Sequence, residues 1–273
     1  MQSYKDYMLY SKLPHTWCAG CGHGVILHML AEAFNSLELE KTQIALVSGI
    51  GCFGRVDDYL DVNCLHVTHG RALPTATGVA LANPDLTVLA TMGDGDGVTI
   101  GGNHLIHAAR RNVNITAIIS NNFNYGQTGG QYSATTPENC ITTTSPYGHI
   151  EDNFDICRLV EAAGASYVAR STSAHPQQLK TLIIEGLRHK GFSLIEVITP
   201  CPTHFGRLNA SGSASKMLKS IKDRCVSPKQ AKEMNEEELA DKIIIGCLVN
   251  QERDDYITRY RRMVDMHIAG GTI

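Results

Sequence analysis

The sequence predicts an α/β protein with a doubly wound, mostly parallel sheet, and three observations carry that expectation. Short apolar runs bounded by Gly, Asn or Pro alternate with stretches of helical periodicity, as strand–helix–strand crossovers do. Glycines cluster at 19–24, 49–54, 93–102 and 126–130, next to such runs, instead of being spread as linkers. The chain has 273 residues, 43% hydrophobic and 19% charged, enough for one large core or two small ones and far from a disordered or fibrous composition.

Taken in order, a helical pattern at 24–37 precedes a strand at 43–48 (Gln-Ile-Ala-Leu-Val-Ser). Further strands are expected at 63–68, 86–92, 114–120, 166–170 and 193–199, with helices at 71–82, 98–111, 153–163 and 176–189. A sheet of this kind binds its ligand at the carboxyl ends of its strands, where the glycine clusters fall. Residues 200–215 read as a polar loop, and 216–273 as charged helices that include the apolar run Ile243–Val249. The last helix, at about 251–267, carries Tyr256, Tyr260 and Met263 at helical spacing, which suits core or subunit packing. The expected organisation is one α/β domain over 1–215 and a C-terminal helical extension over 216–273, packed on that domain or on a partner subunit.

The 24 Lys and Arg against 27 Asp and Glu leave a net charge of −3, so nothing electrostatic recommends nucleic acid or an anionic membrane as a partner. The longest apolar stretches fall short of the roughly 18 residues a membrane span needs. The start of the chain shows neither an apolar signal core nor an Arg-rich transit pattern, which argues against export and for the cytoplasm. Nine cysteines in such a chain point away from a disulfide framework and toward metal or redox chemistry.

The strongest chemical signal is Gly93-Asp94-Gly95-Asp96-Gly97 at the end of one predicted strand, with Asn121-Asn122 at the end of the next. The interval between them holds one crossover helix, so the two strand ends become neighbours and their Asp and Asn side chains converge. Oxygen ligands there, beside glycines that leave backbone amides uncovered, suit a Mg²⁺ that keeps diphosphate oxygens in its shell. This is the pattern of a thiamine-diphosphate site. A calcium loop fits less well, because Asp94-Gly-Asp96-Gly-Val98 lacks the further oxygen ligands and the closing Glu.

The second signal is Cys18-Ala-Gly-Cys21 at a glycine-rich bend, a pair able to hold zinc, form a redox disulfide or ligate an iron–sulfur cluster. Cys52, directly after the 43–48 strand, and Cys201, between Pro200 and Pro202 after the last strand, qualify as two further ligands on the same face. Cys64 in a strand, Cys157 in a helix and Cys247 in an apolar helical run sit where cysteine behaves as a small hydrophobe. Cys140 and Cys225 lie in loop-like sequence and stay unassigned.

Five segments then resemble the β subunit of the 2-oxoacid:ferredoxin oxidoreductases, in order from about residue 13 to 207. They are Trp17-Cys-Ala-Gly-Cys-Gly-His-Gly24, Gly49-Ile-Gly-Cys-Phe-Gly54, Thr68-His-Gly-Arg-Ala-Leu-Pro-Thr-Ala-Thr-Gly78, Gly93-Asp-Gly-Asp96 and Tyr125-Gly-Gln-Thr-Gly-Gly-Gln131. The last run is similar to that of the multi-subunit 2-oxoglutarate enzymes, with Gln127 where Met is usual. The resemblance implies a fold of the thiamine-diphosphate-binding type and one [4Fe–4S] cluster on Cys18, Cys21, Cys52 and Cys201. It implies Mg²⁺ on Asp94, Asn122 and the Asn124 carbonyl, and a cofactor lined by Gly49, Ile50, Gly51, His69, Gly93, Gly95, Asp96 and Gly126. His69 and Arg71 are the candidates for contact with the aminopyrimidine or the substrate, since Arg matches a carboxylate bidentately. Arg55 could meet a carboxylate too, but reads better as a surface or structural ion pair.

The activity implied is oxidative decarboxylation of a 2-oxoacid, best matched to 2-oxoglutarate, to an acyl-CoA and CO₂, with single electrons leaving through the cluster to ferredoxin or flavodoxin. Pyruvate, a branched-chain or an aryl 2-oxoacid is the alternative substrate. A non-redox thiamine enzyme and a zinc-stapled binding protein are the alternative classes. Thiamine enzymes need a carboxylate to polarise the aminopyrimidine, and no Glu falls within the matched motifs. In the family that Glu comes from an α subunit, which makes the α subunit the first expected partner, with small γ and ferredoxin-like δ subunits as further candidates.

Overall fold

The structure, a computed structural model, describes residues 3–268. Residues 269–273, the end of the expected extension, lie outside the described residues. Among the described residues, 3₁₀ and π segments aside, ten α-helices and nine strands follow in chain order. Helix α1 (His23–Ser36) leads to β1 (Ile44–Ser48), β2 (Asn63–His66), α2 (Ala72–Ala82) and β3 (Thr87–Gly93). Then come α3 (Gly102–Arg111), β4 (Ile115–Asn121), α4 (Ile156–Ala162), β5 (Tyr167–Thr172), α5 (Pro176–Arg188) and β6 (Phe192–Ile198).

Strands β1 to β6 form a parallel sheet in the order β2-β1-β3-β4-β6-β5. Its central strands β1, β4 and β6 are buried along their whole length, as helices on both faces require. The period of two sorts the side chains into two cores. Leu46, Leu89, Ile118 and Ile195 meet Ile26, Leu30 and Phe34 of α1 and Leu179 and Ile183 of α5. Val47, Ala90, Ala117 and Leu194 meet Leu73 and Ala76 of α2, Leu105 and Ala109 of α3, and Val160 of α4. No helix among the described residues is long and apolar enough to cross a membrane.

The expected C-terminal helices are in part different. The segment holds α6 (Phe205–Leu208), α7 (Ala214–Asp223), β7 (Cys225–Val226), α8 (Pro228–Ala231), α9 (Glu236–Leu239), β8 (Ile243–Ile244), β9 (Gly246–Asn250) and α10 (Tyr256–Ile268). The run Ile243–Val249, read as helical, is strand: β8 pairs with β7, and β9 pairs antiparallel with β5 at the sheet edge. Cys247 therefore lies on a strand. An edge strand with free amides and carbonyls recruits a short apolar segment whatever its own period. The helix expected from residue 98 also begins later. A widened π turn over Gly95–Ile100 comes first, a departure that concentrates at functional positions.

Candidate active site

In the β3–β4 pairing Gly93 stands opposite Ser120, so Asp94 and Asn122, just beyond the two strand ends, meet. The Asn122 backbone amide donates to Asp94 Oδ1 at 3.4 Å, and Asp94 Oδ2 accepts from Ser133 Oγ at 2.5 Å and Thr135 Oγ1 at 2.8 Å. Burial pushes the Asp94 carboxyl up to about 6 in spite of these donors. The end of the Asn122 side chain lies 2.8 Å from the Asn124 carbonyl oxygen and 3.2 Å from Asp94 Oδ1. With the amide nitrogen turned inward it donates to both. With the oxygen turned inward, three oxygens converge, an arrangement that is repulsive unless a cation sits among them. Both terminal atoms of Asn124 are buried without a hydrogen-bond partner among the described residues. The donor set thus fits an oxygen-ligated divalent ion.

Of the residues expected at the cofactor, Ile50, Gly51, His69, Gly93, Asp94, Gly95, Asp96, Asn122, Asn124 and Gly126 wall one cavity. Gly49 does not. It makes room behind the wall, where a Cβ would fall 1.8 Å from Asp96 Oδ2. Asp96 is a latch: its Oδ1 accepts from the Gly70 amide at 2.7 Å and from His69 Nδ1 at 2.5 Å, which holds the loop before α2 against the glycine turn. Its carboxyl is pushed up by burial and pulled back by these contacts. Gly95 is required by close approach, since a Cβ would lie 2.4 Å from the Tyr125 ring, whose hydroxyl donates to the Gly95 carbonyl at 3.0 Å. Arg71 is not brought to either cavity. It stands exposed at the start of α2 with its guanidinium turned back onto the Gly70 carbonyl at 3.2 Å.

Cys18, Cys21, Cys52 and Cys201 line a second cavity of about 350 Å³. It shares Cys52, Asn122, Gly126, Gln127 and His23 with the first, so the two adjoin. The indole of Trp17 donates to the Cys52 carbonyl at 2.5 Å and joins the two cysteine loops, while Thr203 Oγ1 donates to Cys18 Sγ at 3.0 Å. Burial and then the neighbouring Cys201, Cys21 and Cys18 push the Cys52 thiol up to about 12. Among the described residues no three of these sulfurs lie within 4.8 Å of one another. A tetrahedral zinc would set them roughly 3.8 Å apart from its 2.3 Å bonds, closer than they stand here. Cys140 and Cys225 are elsewhere, Cys225 donating to the Ile221 carbonyl. Arg55 lines this cavity and makes a surface ion pair with Asp58 at 2.9 Å.

Sequence reasoning did not single out Ser133, Thr135 or His23. The first two lie in the long segment after β4, where no periodicity marks a buried residue; His23 was visible only as part of the Cys18–Cys21 bend. Burial and then the nearby His15 push His23 down to about 4.

Residues 49–197 match the family model described as thiamine pyrophosphate enzyme, C-terminal TPP binding domain. The chain is 47% identical over 262 residues to 2-oxoglutarate synthase subunit KorB of Methanothermobacter marburgensis, covering 96% of this chain and 92% of that one. It is 53% identical over 201 residues to the subunit of the same name from Archaeoglobus fulgidus, covering 74% and 75%. Its fold is similar to that of 2-oxoglutarate:ferredoxin oxidoreductase from Magnetococcus marinus, solved with 2-oxoglutarate, coenzyme A and succinyl-CoA bound, with TM-score 0.86 and 32% identity over 100% of this chain and 92% of that one. Sequence and fold thus agree with these relatives over nearly the whole length, and the chain belongs to the thiamine-diphosphate-binding β subunits of the 2-oxoacid:ferredoxin oxidoreductases.

Proposed function

We propose that the chain acts on 2-oxoglutarate, converting it with coenzyme A to succinyl-CoA and CO₂, and that its two adjoining cavities hold thiamine diphosphate with Mg²⁺ and one [4Fe–4S] cluster. One observation carries this reading: Asp94 Oδ1, the end of the Asn122 side chain and the Asn124 carbonyl converge across a shared wall from four cysteines. The substrate is favoured because relatives matching nearly all of the chain are 2-oxoglutarate synthase subunits. Bound there, the thiamine cofactor supplies a carbanion and an electron sink, and the cluster takes electrons singly.

The protein's own part is positioning. Asp94, the Asn122 side chain and the Asn124 carbonyl hold Mg²⁺, and through it the diphosphate. Ser133 and Thr135 orient the Asp94 carboxylate by donating to Oδ2. His69, tied through Nδ1 to Asp96, keeps Nε2 for holding or moving a proton at the substrate. Trp17 keeps the Cys18 and Cys52 loops in register, and Cys18, Cys21, Cys52 and Cys201 ligate the cluster. The acidic residues lining the cofactor cavity are Asp94, which faces the Mg²⁺ site, and Asp96, held through Oδ1 by His69 and Gly70 with Oδ2 unpartnered among the described residues; no Glu lines it, and the aminopyrimidine carboxylate comes from an α subunit. Small γ and ferredoxin-like δ subunits complete the assembly, which passes electrons to ferredoxin or flavodoxin in the cytoplasm.

The test is co-expression with an α subunit of the same enzyme and an assay of ferredoxin reduction against a panel of 2-oxoacids. The expected result is coenzyme A-dependent reduction fastest with 2-oxoglutarate. A preference for pyruvate or a branched-chain acid overturns the substrate, and turnover without any electron acceptor overturns the redox assignment.

A further inference from the structure

His23 stands in the wall between the two cavities and lines both. It opens α1 two residues after Cys21, and its ring stacks on Phe53 with centroids 5.6 Å apart and planes 24° from parallel. Nδ1 lies 3.4 Å from Cys21 Sγ, and Nε2 lies 3.0 Å from Ser120 Oγ. Ser120 Oγ is in turn 3.2 Å from Thr199 Oγ1, at the end of β6 two residues before Cys201.

The proton positions along this line follow from what each atom can do. A thiolate sulfur only accepts, so the proton of a neutral imidazole belongs on Nδ1. Nε2 is then an acceptor and takes the Ser120 hydroxyl proton. The Ser120 oxygen in its turn takes the proton of Thr199. Each donor has one acceptor, and the series Thr199, Ser120, His23, Cys21 sets the tautomer from the β6 end.

We propose that His23 is a positioning residue for the electron acceptor, donating Nδ1–H to the Cys21 sulfur in a tautomer held by Ser120 and Thr199, and so raising the reduction potential of the cluster. The physical reason is that a donor aimed at a ligating sulfur stabilises the more negative, reduced state more than the oxidised one. The inference rests on the assignment of Cys21 as a cluster ligand made above. Since the ring also walls the cofactor cavity, the same side chain fills the gap that electrons cross.

The experiment is a redox titration of the assembled complex followed by electron paramagnetic resonance, with iron counted in each sample. His23→Phe keeps the stacking and removes the donor; it is expected to retain iron and to lower the reduced-to-oxidised ratio at a fixed potential about tenfold, ~59 mV for a one-electron couple. His23→Asn places an amide donor where Nδ1 stands and is expected to restore most of the shift. Ser120→Ala touches no cysteine and is expected to move the potential the same way by less. Full iron with an unshifted potential in His23→Phe overturns the proposal. Should that variant lose iron, Ser120→Ala decides, and an unshifted potential there overturns it too. Cys21→Ala retaining a complete cluster refutes the ligand assignment instead, so the two failures are distinguishable.

Discussion

Arg170 and Glu196 face each other across the parallel pair β5–β6, and Arg170 Nε donates to Glu196 Oε2 at 2.6 Å. Arg170 Nη2 also donates to Asp155 Oδ1 at 2.5 Å, so the guanidinium fills the space where Asp155, Cys157 and Glu196 converge. The other Glu196 oxygen accepts from Asn121 Nδ2 at 2.8 Å, and Asn121 Oδ1 lies 3.0 Å from Thr135 Oγ1, the hydroxyl that reaches Asp94. An ion pair inside the sheet therefore braces the Asp94 carboxylate from behind.

Removing one partner should be costly, because it strands a charge in the core. Arg170→Met is expected to lower unfolding stability by roughly 3–5 kcal/mol, and the double change Arg170→Met with Glu196→Leu should recover most of it. Urea melts of the three proteins check this. A single-variant loss no larger than that of an ordinary surface change means the pair is solvated.

Asp94 makes a prediction in pH. Its carboxyl sits at about 6 against an ordinary 3.8, so the ionised form is the disfavoured one in the metal-free fold. The stability this group contributes is fully present below pH 3.8 and is lost as pH rises through about 6. Asp94→Asn should therefore melt above the metal-free wild type at pH 7.5, by an amount on the order of 2–3 kcal/mol, and level with it near pH 4. With Mg²⁺ and thiamine diphosphate added the order reverses, since the wild type gains a ligand and the variant does not. A variant that binds the cofactor as tightly as wild type, by calorimetry, would falsify the metal assignment.

The cysteines separate by reactivity once the cluster is stripped. Cys18 is exposed, whereas Cys52 is held up to about 12 by burial and by the other three thiols. Alkylation at pH 8 should label Cys18 first and Cys52 at least a hundredfold more slowly, because the thiolate is the nucleophile. In the loaded protein all four should be protected. Ala at 18, 21, 52 or 201 should remove the broad absorption near 400 nm, about where iron–sulfur clusters absorb, while Cys140→Ala and Cys225→Ala keep it. Iron retained in Cys201→Ala but lost in Cys140→Ala reassigns the fourth ligand.

What the sequence made legible is what strand ends encode. Strands β1 to β6 fall within about two residues of the expected ranges, because each is an apolar run closed by a turn former. Asp94, Asn122 and the four cysteines could be gathered for the same reason: each lies near a strand end or a glycine bend, and a parallel sheet brings those ends to one face. Strand β9 was not legible, since seven apolar residues carry no period and only the open edge of β5 decides their state. Ser133 and Thr135 were hidden because a hydroxyl in a loop looks alike whether it meets water or a buried carboxylate. Arg71 shows what sequence leaves open, since its chemistry fits a carboxylate while only the fold places it exposed at the start of α2.

The last prediction concerns the partner. The acidic side chains lining the cofactor cavity are Asp94, which accepts from Ser133 and Thr135, and Asp96, which is latched to His69 and Gly70. The buried Glu196 is committed to Arg170 and Asn121 behind Asp94, so it has no route to the aminopyrimidine. Helix α10 meanwhile leaves Tyr260, Met263 and Met266 about half exposed along one face, apolar surface of the kind subunits cover. A chain with this inventory can bind cofactor and cluster and still lack the acid that starts the reaction. The purified single chain should therefore show a cluster spectrum and no turnover with 2-oxoglutarate and an artificial one-electron acceptor. Adding the α subunit should restore coenzyme A-dependent ferredoxin reduction, and an α variant with its aminopyrimidine Glu changed to Gln should assemble without restoring it. Turnover by the single chain at a rate comparable with the complex means that an acid of this chain, Asp96 being the nearest candidate, does the work assigned to the partner.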